Sequence, residues 1–210
     1  MTEKYNTVAA EATSEFVEKK SRFISHVKPV STEAEAVEYI EKIKKQYWDA
    51  RHNVYAYIIG KGSELQRYSD DGEPQGTGGI PMLEVLRGAE VTDVVAVVTR
   101  YFGGTLLGTG GLVRAYTRGA KEGLAAAGII SMVLYTRVSI KVDYTLSGKV
   151  QYEIMQQGHR LEDTVYAADV EFIVLVEKSR CEGFIKDIIN VTSGKAEIEE
   201  GDDCWRDTKG

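Results

Sequence analysis

Two copies of one glycine-rich phrase stand out in this 210-residue chain: Gly76-Thr77-Gly78-Gly79 and Gly108-Thr109-Gly110-Gly111. Each runs into residues that read as a helix, Ile80–Leu86 after the first and Leu112–Tyr116 after the second. Paired glycines let backbone amides converge with no Cβ in the way. A helix start adds free N–H groups and the positive end of the helix dipole. Such turns suit a phosphate or a carboxylate. The charges agree: residues 94–121 contain no Asp or Glu, but they contain Arg100, Arg114, Arg118 and Lys121. Arg114, Arg118 and Lys121 fall on one helix face by their spacing. Arg114 also sits near the positive end of its helix, where a cation is mildly unfavourable unless an anion joins it. The candidate binding set is Gly78, Gly79, Arg100, Tyr101, Gly110, Gly111, Arg114 and Arg118. Tyr101, with Phe102, is either a platform for a base or a core residue at a strand end. The competing reading pairs these arginines with Asp70, Asp71 and Glu73, which would merely join two loops.

Catalytic candidates are fewer. His52 is placed to act as a base or a phosphate ligand, or to be hydrogen-bonded in a half-buried strand. Asp70, Asp71 and Glu73 would either hold Mg²⁺ against a bound phosphate or form turns through Asp-Gly and Glu-Pro. The three histidines, His26, His52 and His159, have no partner at metal spacing. Neither glycine phrase continues into the GK[ST] of a nucleoside-triphosphate loop. No metal and no cofactor are expected.

The elements that must position these residues follow from composition and periodicity. At 43% hydrophobic and 28% charged, the chain reads as a globular protein of one large domain or two small ones. Fifteen of its 21 glycines lie between Gly60 and Gly128, which marks that region as specialised. No apolar run reaches the ~20 residues of a membrane helix, and the N-terminus lacks an apolar signal core. Cys181 and Cys204 read as reduced thiols, and a cytoplasmic location with no membrane partner is expected. The net charge of −6 argues against nucleic acid binding over the whole surface. Residues 1–130 are nearly balanced, with sixteen basic and seventeen acidic side chains, while residues 131–210 have ten against fifteen. A polyanion would therefore meet the first part. No residue pattern specifies an oligomer.

Residues 7–11 and 15–30 read as extended, with a bend near Ser21. Ser31-Thr32-Glu33 opens a helix whose apolar positions Ala36, Val37, Ile40, Ile43, Tyr47 and Trp48 follow a 3.6 period, and residues 49–53 end it. Residues 54–59 read as a buried strand, 65–68 as a short strand and 80–88 as a short helix. Val94–Val98 is continuously apolar and predicts a central strand covered on both faces. The second phrase would then lie beyond the C-terminal end of that strand, as α/β sites often do. Its helix packs through Leu112, Tyr116, Ala120, Leu124 and Ala127, and stops near Gly128. Beyond it, strand 133–144, helix 146–157, strands 159–167 and 170–177, helix 181–191 and strand 195–200 give the βαββαβ order of a ferredoxin-like domain. Residues 199–203 read as an acidic, solvated end. The expected domains are residues 1–132 and 133–210.

Two stretches resemble a known family. Ser69-Asp70-Asp71-Gly72-Glu73-Pro74 with Gly76-Thr77-Gly78-Gly79-Ile80-Pro81 resembles the signature of the IMPACT family. Thr99-Arg100-Tyr101-Phe102-Gly103-Gly104 with residues 106–116 is similar to its second block. Arg22-Phe23 and His52–Tyr57 match weaker blocks. The match covers about residues 15–125, and the whole chain is similar to the bacterial two-domain branch. The resemblance implies an α+β chain whose N-terminal domain is ribosomal protein S5 domain 2-like, a type shared with the protein of bacterial ribonuclease P and the fourth domain of elongation factor G. It implies a ferredoxin-like C-terminal domain similar to the fifth domain of that factor. Relatives of the first fold include RNA and ribosome binders and also kinases, so fold alone does not assign a function. Eukaryotic IMPACT proteins regulate an amino-acid-starvation kinase and carry an N-terminal RWD domain. The residues before the first motif here are too few to hold one, so that role is not expected to carry over.

The expected function is therefore a non-enzymatic binding protein, associated with RNA or the ribosome and linked to translation regulation. It would use the basic glycine-rich face as an anion site. The alternative is an enzyme on a small phosphorylated or carboxylated metabolite, an anionic small molecule, with His52 as base and Asp70 or Asp71 as acid or metal ligand. The proline-dipeptidase label carried by some relatives finds no supporting residues.

Overall fold

A computed structural model describes residues 3–208, so the outer ends of the two expected domains, residues 1–2 and 209–210, lie outside the described residues. The chain forms two compact units, one of residues Lys4–Ser131 and one that begins at Met132. The α+β class is as expected, with the second unit ferredoxin-like in its element order.

The first unit contains β1 (Lys4–Val8), β2 (Ala12–Glu18), β3 (Ser21–Pro29), α1 (Glu33–Gln46), β4 (His52–Ile59), β5 (Leu65–Ser69), α2 (Gly79–Gly88), β6 (Val94–Tyr101) and α3 (Thr109–Ala127). Five strands pair in the order β2-β3-β6-β4-β5, all antiparallel. β6 is central, and its alternation decides the layers. Val94, Ala96 and Val98 face a core with Met82, Leu86, Leu112, Tyr116 and Leu124 of α2 and α3. Val95 and Val97 face Ala36, Tyr39, Ile40 and Ile43 of α1 on the other side. Continuous apolarity in this strand is therefore two-sided burial, as expected. Every strand pairing in this sheet is antiparallel, so the second phrase does not sit at the carboxyl ends of a parallel sheet.

Two local differences matter for the site. The bend expected near Ser21 is a two-residue hairpin at Lys19-Lys20, where φ is 45° and 66°, the primed geometry that matches strand twist. His52 and Asn53, expected to end a helix, instead begin β4, where pairing with β6 sets His52 directly opposite Arg100 and Asn53 opposite Thr99. α1 starts as its sequence implies: the Thr32 side chain accepts from Glu35 N–H, and the Glu35 carboxylate accepts from Ser31 N–H at 2.6 Å.

The second unit takes in β7 (Ile129–Val142) from Met132 on, then α4 (Tyr144–Gln156), β8 (Arg160–Tyr166), β9 (Val170–Glu177), α5 (Cys181–Thr192) and β10 (Glu197–Asp207). Its sheet order is β10-β7-β9-β8, again antiparallel. Val138, Ile140, Phe172 and Val174 pack against Val150, Ile154, Phe184 and Ile188. Asp143 caps α4 by accepting from the N–H groups of Thr145 and Leu146. The acidic stretch 199–203 is exposed, as expected, but it is an ordered strand segment. It lies within β10, where Asp203 accepts from Thr136 Oγ1 at 2.7 Å and pairs with Lys178 at 3.0 Å. Among the described residues no helix is long and apolar enough to cross a membrane.

Candidate functional site

The first glycine turn is filled from within the chain. Asp70, the first residue of the loop after β5, turns its carboxylate into the phrase. Oδ2 accepts from Gly76 N–H at 2.7 Å, and Oδ1 accepts from Gly78 N–H at 2.9 Å and Gly79 N–H at 2.8 Å. The carboxylate stands where an external anion would stand, at the start of α2. Gly78 and Gly79 are buried, and close neighbours hold them: a Cβ on Gly78 would meet Val54 Cγ1 at 2.8 Å, and one on Gly79 would meet Tyr68 Cδ2 at 2.8 Å. The expectation that Gly78 and Gly79 offer free amides is corrected, because a nearby acid already uses them.

The second turn is open. Gly108 is the residue before α3, with φ 74° and ψ 165°, a conformation nearly confined to glycine. No side chain caps the helix. Gly108, Thr109 and Gly110 are exposed and Gly111 is half-buried. Arg114 folds back along this first turn, its Nη1 only 3.6 Å from where a Gly110 Cβ would stand. Among the described residues no carboxylate lies within ion-pair distance of Arg114, so a cation and a positive helix end lie together. Arg118 is more engaged: it pairs with Glu122 at 2.7 Å and its guanidinium lies 4.2 Å from the centre of the Phe16 ring. Arg114 and Arg118 share a hollow of about 180 Å³ with Glu18 and Lys19 of the β2–β3 hairpin.

Beside the open turn lies a cavity of about 460 Å³ whose walls include His52, Glu73, Arg100, Phe102, Leu107 and Thr109. Its inner wall is a buried polar cluster. Glu73 Oε1 accepts from Arg100 Nη1 at 2.7 Å and from the Tyr116 hydroxyl at 2.8 Å. Arg100 is 5% exposed and Glu73 8%. The guanidinium lies 5.6 Å from the centres of both Phe23 and Phe102, and its Nε is buried without a partner among the described residues. Burial, and then the adjacent Glu73 carboxylate, push the Tyr116 hydroxyl far above the ordinary phenol range, so it remains a donor. His52 Nδ1 is 2.9 Å from the Asp71 carbonyl. A carbonyl only accepts, so Nδ1 carries a proton, and in the neutral ring Nε2 carries the lone pair. Nε2 is 4.0 Å from Glu73 Oε2.

The remaining candidates separate from this cluster. Asp71 turns away: Oδ2 accepts from Asn53 N–H at 2.6 Å, and Oδ1 pairs with Lys44 at 3.2 Å. Neither Asp70 nor Asp71 lines the cavity, and the carboxylate beside His52 is Glu73. Among the described residues no group of three or more His, Cys, Asp or Glu could hold a metal ion. Tyr101 does not join Arg100, because successive strand residues face opposite ways. Its hydroxyl donates to Asp49 at 2.7 Å, and burial with that bond pushes it up to about 12. Of the other histidines, His26 and His159 are each lowered to about 4 by burial and lie outside the cluster. From sequence, Glu73 reads as a metal ligand, a turn former or an acid paired with the candidate arginines, and its pairing with Arg100 is the third of these; Tyr116 reads as core alone. Tyr116 did carry a signal, since a phenol on the buried face of a helix needs a polar partner.

The Impact N-terminal domain model matches residues 19–124, and the model of a domain of unknown function (DUF1949) matches residues 140–195. The chain is 45% identical over 202 residues to "IMPACT family member YvyE" of Bacillus subtilis (strain 168), covering 96% of this chain and 93% of that one. It is 32% identical over 182 residues to "IMPACT family member YigZ" of Escherichia coli (strain K12), covering 86% and 89%. Among solved structures, one titled "Crystal structure of an hypothetical protein" aligns with a TM-score of 0.62 and 30% identity over 96% of this chain and 99% of that one.

Proposed function

This chain belongs to the IMPACT family, in its bacterial two-domain branch, and from that premise we propose that it is a cytoplasmic binding protein whose first unit grips the phosphates of RNA, in a role linked to translation. The observation that carries this reading is the open start of α3, with the amides of Thr109, Gly110 and Gly111 uncapped and Arg114 lying unpaired along them. Exposed amides give direction to a phosphate oxygen, and arginine gives charge. Lys19 and Lys20 on the adjoining hairpin extend the positive surface. The binding is expected to be insensitive to paired sequence and sensitive to salt, because phosphate contacts release counterions.

The test is binding of a structured RNA hairpin, measured by fluorescence anisotropy across a salt series, for the wild type and Arg114→Ala/Arg118→Ala. The expected result is a steep negative slope of log affinity against log salt in the wild type, with the slope reduced by about one per lost contact in the variant. Binding that ignores both salt and these substitutions would end the proposal.

A second reading is favoured by the cavity itself. His52 presents Nε2 beside a buried carboxylate in the wall of a cavity, which also suits an enzyme acting on a small phosphorylated or carboxylated metabolite. A phosphometabolite screen that finds turnover abolished by His52→Ala would favour it.

A further inference from the structure

We propose that the cavity beside α3 is a nucleotide pocket that selects a base bearing an exocyclic amino group, with the attached phosphate on the open start of α3. This rests on the phosphate reading above and adds base selection to it.

The pocket wall offers acceptors. Glu73 commits Oε1 to Arg100 and Tyr116, and among the described residues Oε2 accepts no hydrogen bond. His52 donates its Nδ1–H to the Asp71 carbonyl, which in the neutral ring leaves the lone pair on Nε2. Those two free acceptor atoms are 4.0 Å apart. A nitrogen at the usual hydrogen-bond length of about 2.9 Å from each closes the triangle, and an amino group has one hydrogen for each. Adenine, cytosine and guanine carry such a group. Uracil and hypoxanthine carry a carbonyl at the corresponding edge, which would set oxygen against two acceptors. The cluster behind the wall maintains this arrangement: Arg100 holds Glu73 in place, and the Tyr116 hydroxyl reinforces it.

The rest of the cavity fits a base and not a bare anion. Its volume, about 460 Å³, lies within the range of small-molecule sites. Phe102 is 43% exposed and Leu106 81% exposed at its edge, an apolar rim on which a flat ring can stack. Thr109, at the first position of α3, lines the same cavity, so the helix start and the acceptor pair open into one space. A free nucleotide and an unpaired residue of an RNA share this chemistry.

The experiment compares single-stranded RNA oligonucleotides of equal length, all-adenosine, all-cytidine, all-uridine and all-inosine, at one salt concentration. Wild type is expected to bind the adenosine and cytidine strands about tenfold more tightly than the uridine and inosine strands, the effect of about one hydrogen bond. Arg114→Ala should weaken every strand by a similar factor and keep the preference. His52→Phe, which leaves the Glu73–Arg100 pair in place, should abolish the preference and keep the salt dependence. Free AMP that displaces the adenosine strand where UMP does not supports the pocket with a free nucleotide as occupant. Displacement by a short adenosine oligonucleotide alone supports it with RNA as the source. Salt-dependent binding with no base preference in the wild type overturns the pocket and leaves the phosphate site standing. A preference that survives His52→Phe overturns it as well. No binding of any strand at low salt overturns both readings.

Discussion

The molecule writes the same four residues twice and uses them in opposite ways. At Gly76-Thr77-Gly78-Gly79 the amides at the start of α2 converge on the Asp70 carboxylate, and the glycines are packed against Val54, Tyr68 and Ser69. At Gly108-Thr109-Gly110-Gly111 no side chain caps α3, and the first three residues are exposed. The difference lies outside the phrase. Six residues before its first glycine stands Asp70 in one case and Phe102 in the other. A glycine-rich turn before a helix is therefore a capacity to hold an anion, and the surrounding residues decide whether the chain fills that capacity itself. The chain closes the first copy with its own carboxylate and leaves the second uncapped.

The largest test of this contrast is Asp70→Ala. It removes the acceptor of three backbone amides together and the anion at the start of α2. A loss of about 3 kcal/mol is expected, from unsatisfied donors and a lost helix cap, read by urea unfolding of the first unit. The emptied turn should also gain affinity for phosphate, so stability should recover more with added phosphate in the variant than in the wild type. A variant as stable as the wild type would mean that the Asp70 contacts contribute little and that the two turns are alike.

Much of the frame was legible in the residues. The 3.6 period of Leu112, Tyr116, Ala120, Leu124 and Ala127 is the buried face of α3, and the unbroken valines of β6 are its two-sided burial. The βαββαβ order of the second unit followed from the same periodicities. The site was less legible, because its decisive contacts join residues far apart in the chain. Glu73 meets Arg100 across 27 positions and Tyr116 across 43. His52 gained its place from strand pairing with Arg100, while its local sequence read as the end of a helix. Asp70 closes its own turn through a loop conformation, with Asp71 at φ 44° and Gly72 at φ 86°, that no hydrophobic period reports.

A smaller effect comes from adding one methyl group to each copy. Gly78→Ala sets a Cβ 2.8 Å from Val54 Cγ1 and 3.3 Å from Tyr116 Cδ2 in a packed interior. A loss of about 2 kcal/mol is expected from overpacking. Gly110→Ala sits exposed in the first turn of α3, where the nearest atom is Arg114 Nη1 at 3.6 Å. There alanine should stabilise by a few tenths to about 1 kcal/mol, since it favours the helix over glycine. The two substitutions should thus shift the melting temperature in opposite directions. A shift of the same sign in both would break the claim that one copy is packed and the other is bare.

The smallest effect sharpens the comparison most, because it closes the second copy as the chain closes the first. Thr109→Asp puts a carboxylate in the first turn of α3, where no acid now stands. The helix dipole alone should make this stabilising, by about 0.3–1 kcal/mol, or about 1–3 °C in a protein of this size. The same carboxylate would compete with an incoming phosphate for the amides of Gly110 and Gly111, and it would draw Arg114 into an internal pair. RNA affinity should therefore fall about tenfold or more, and the salt slope should flatten, while the protein becomes slightly more stable. Stability and binding moving in opposite directions is what a vacant helix start predicts, because the unfavourable charge of the free protein is what the ligand relieves. A variant that is stabilised yet binds RNA unchanged would separate the open turn from the binding surface, and Arg114 would then act without it.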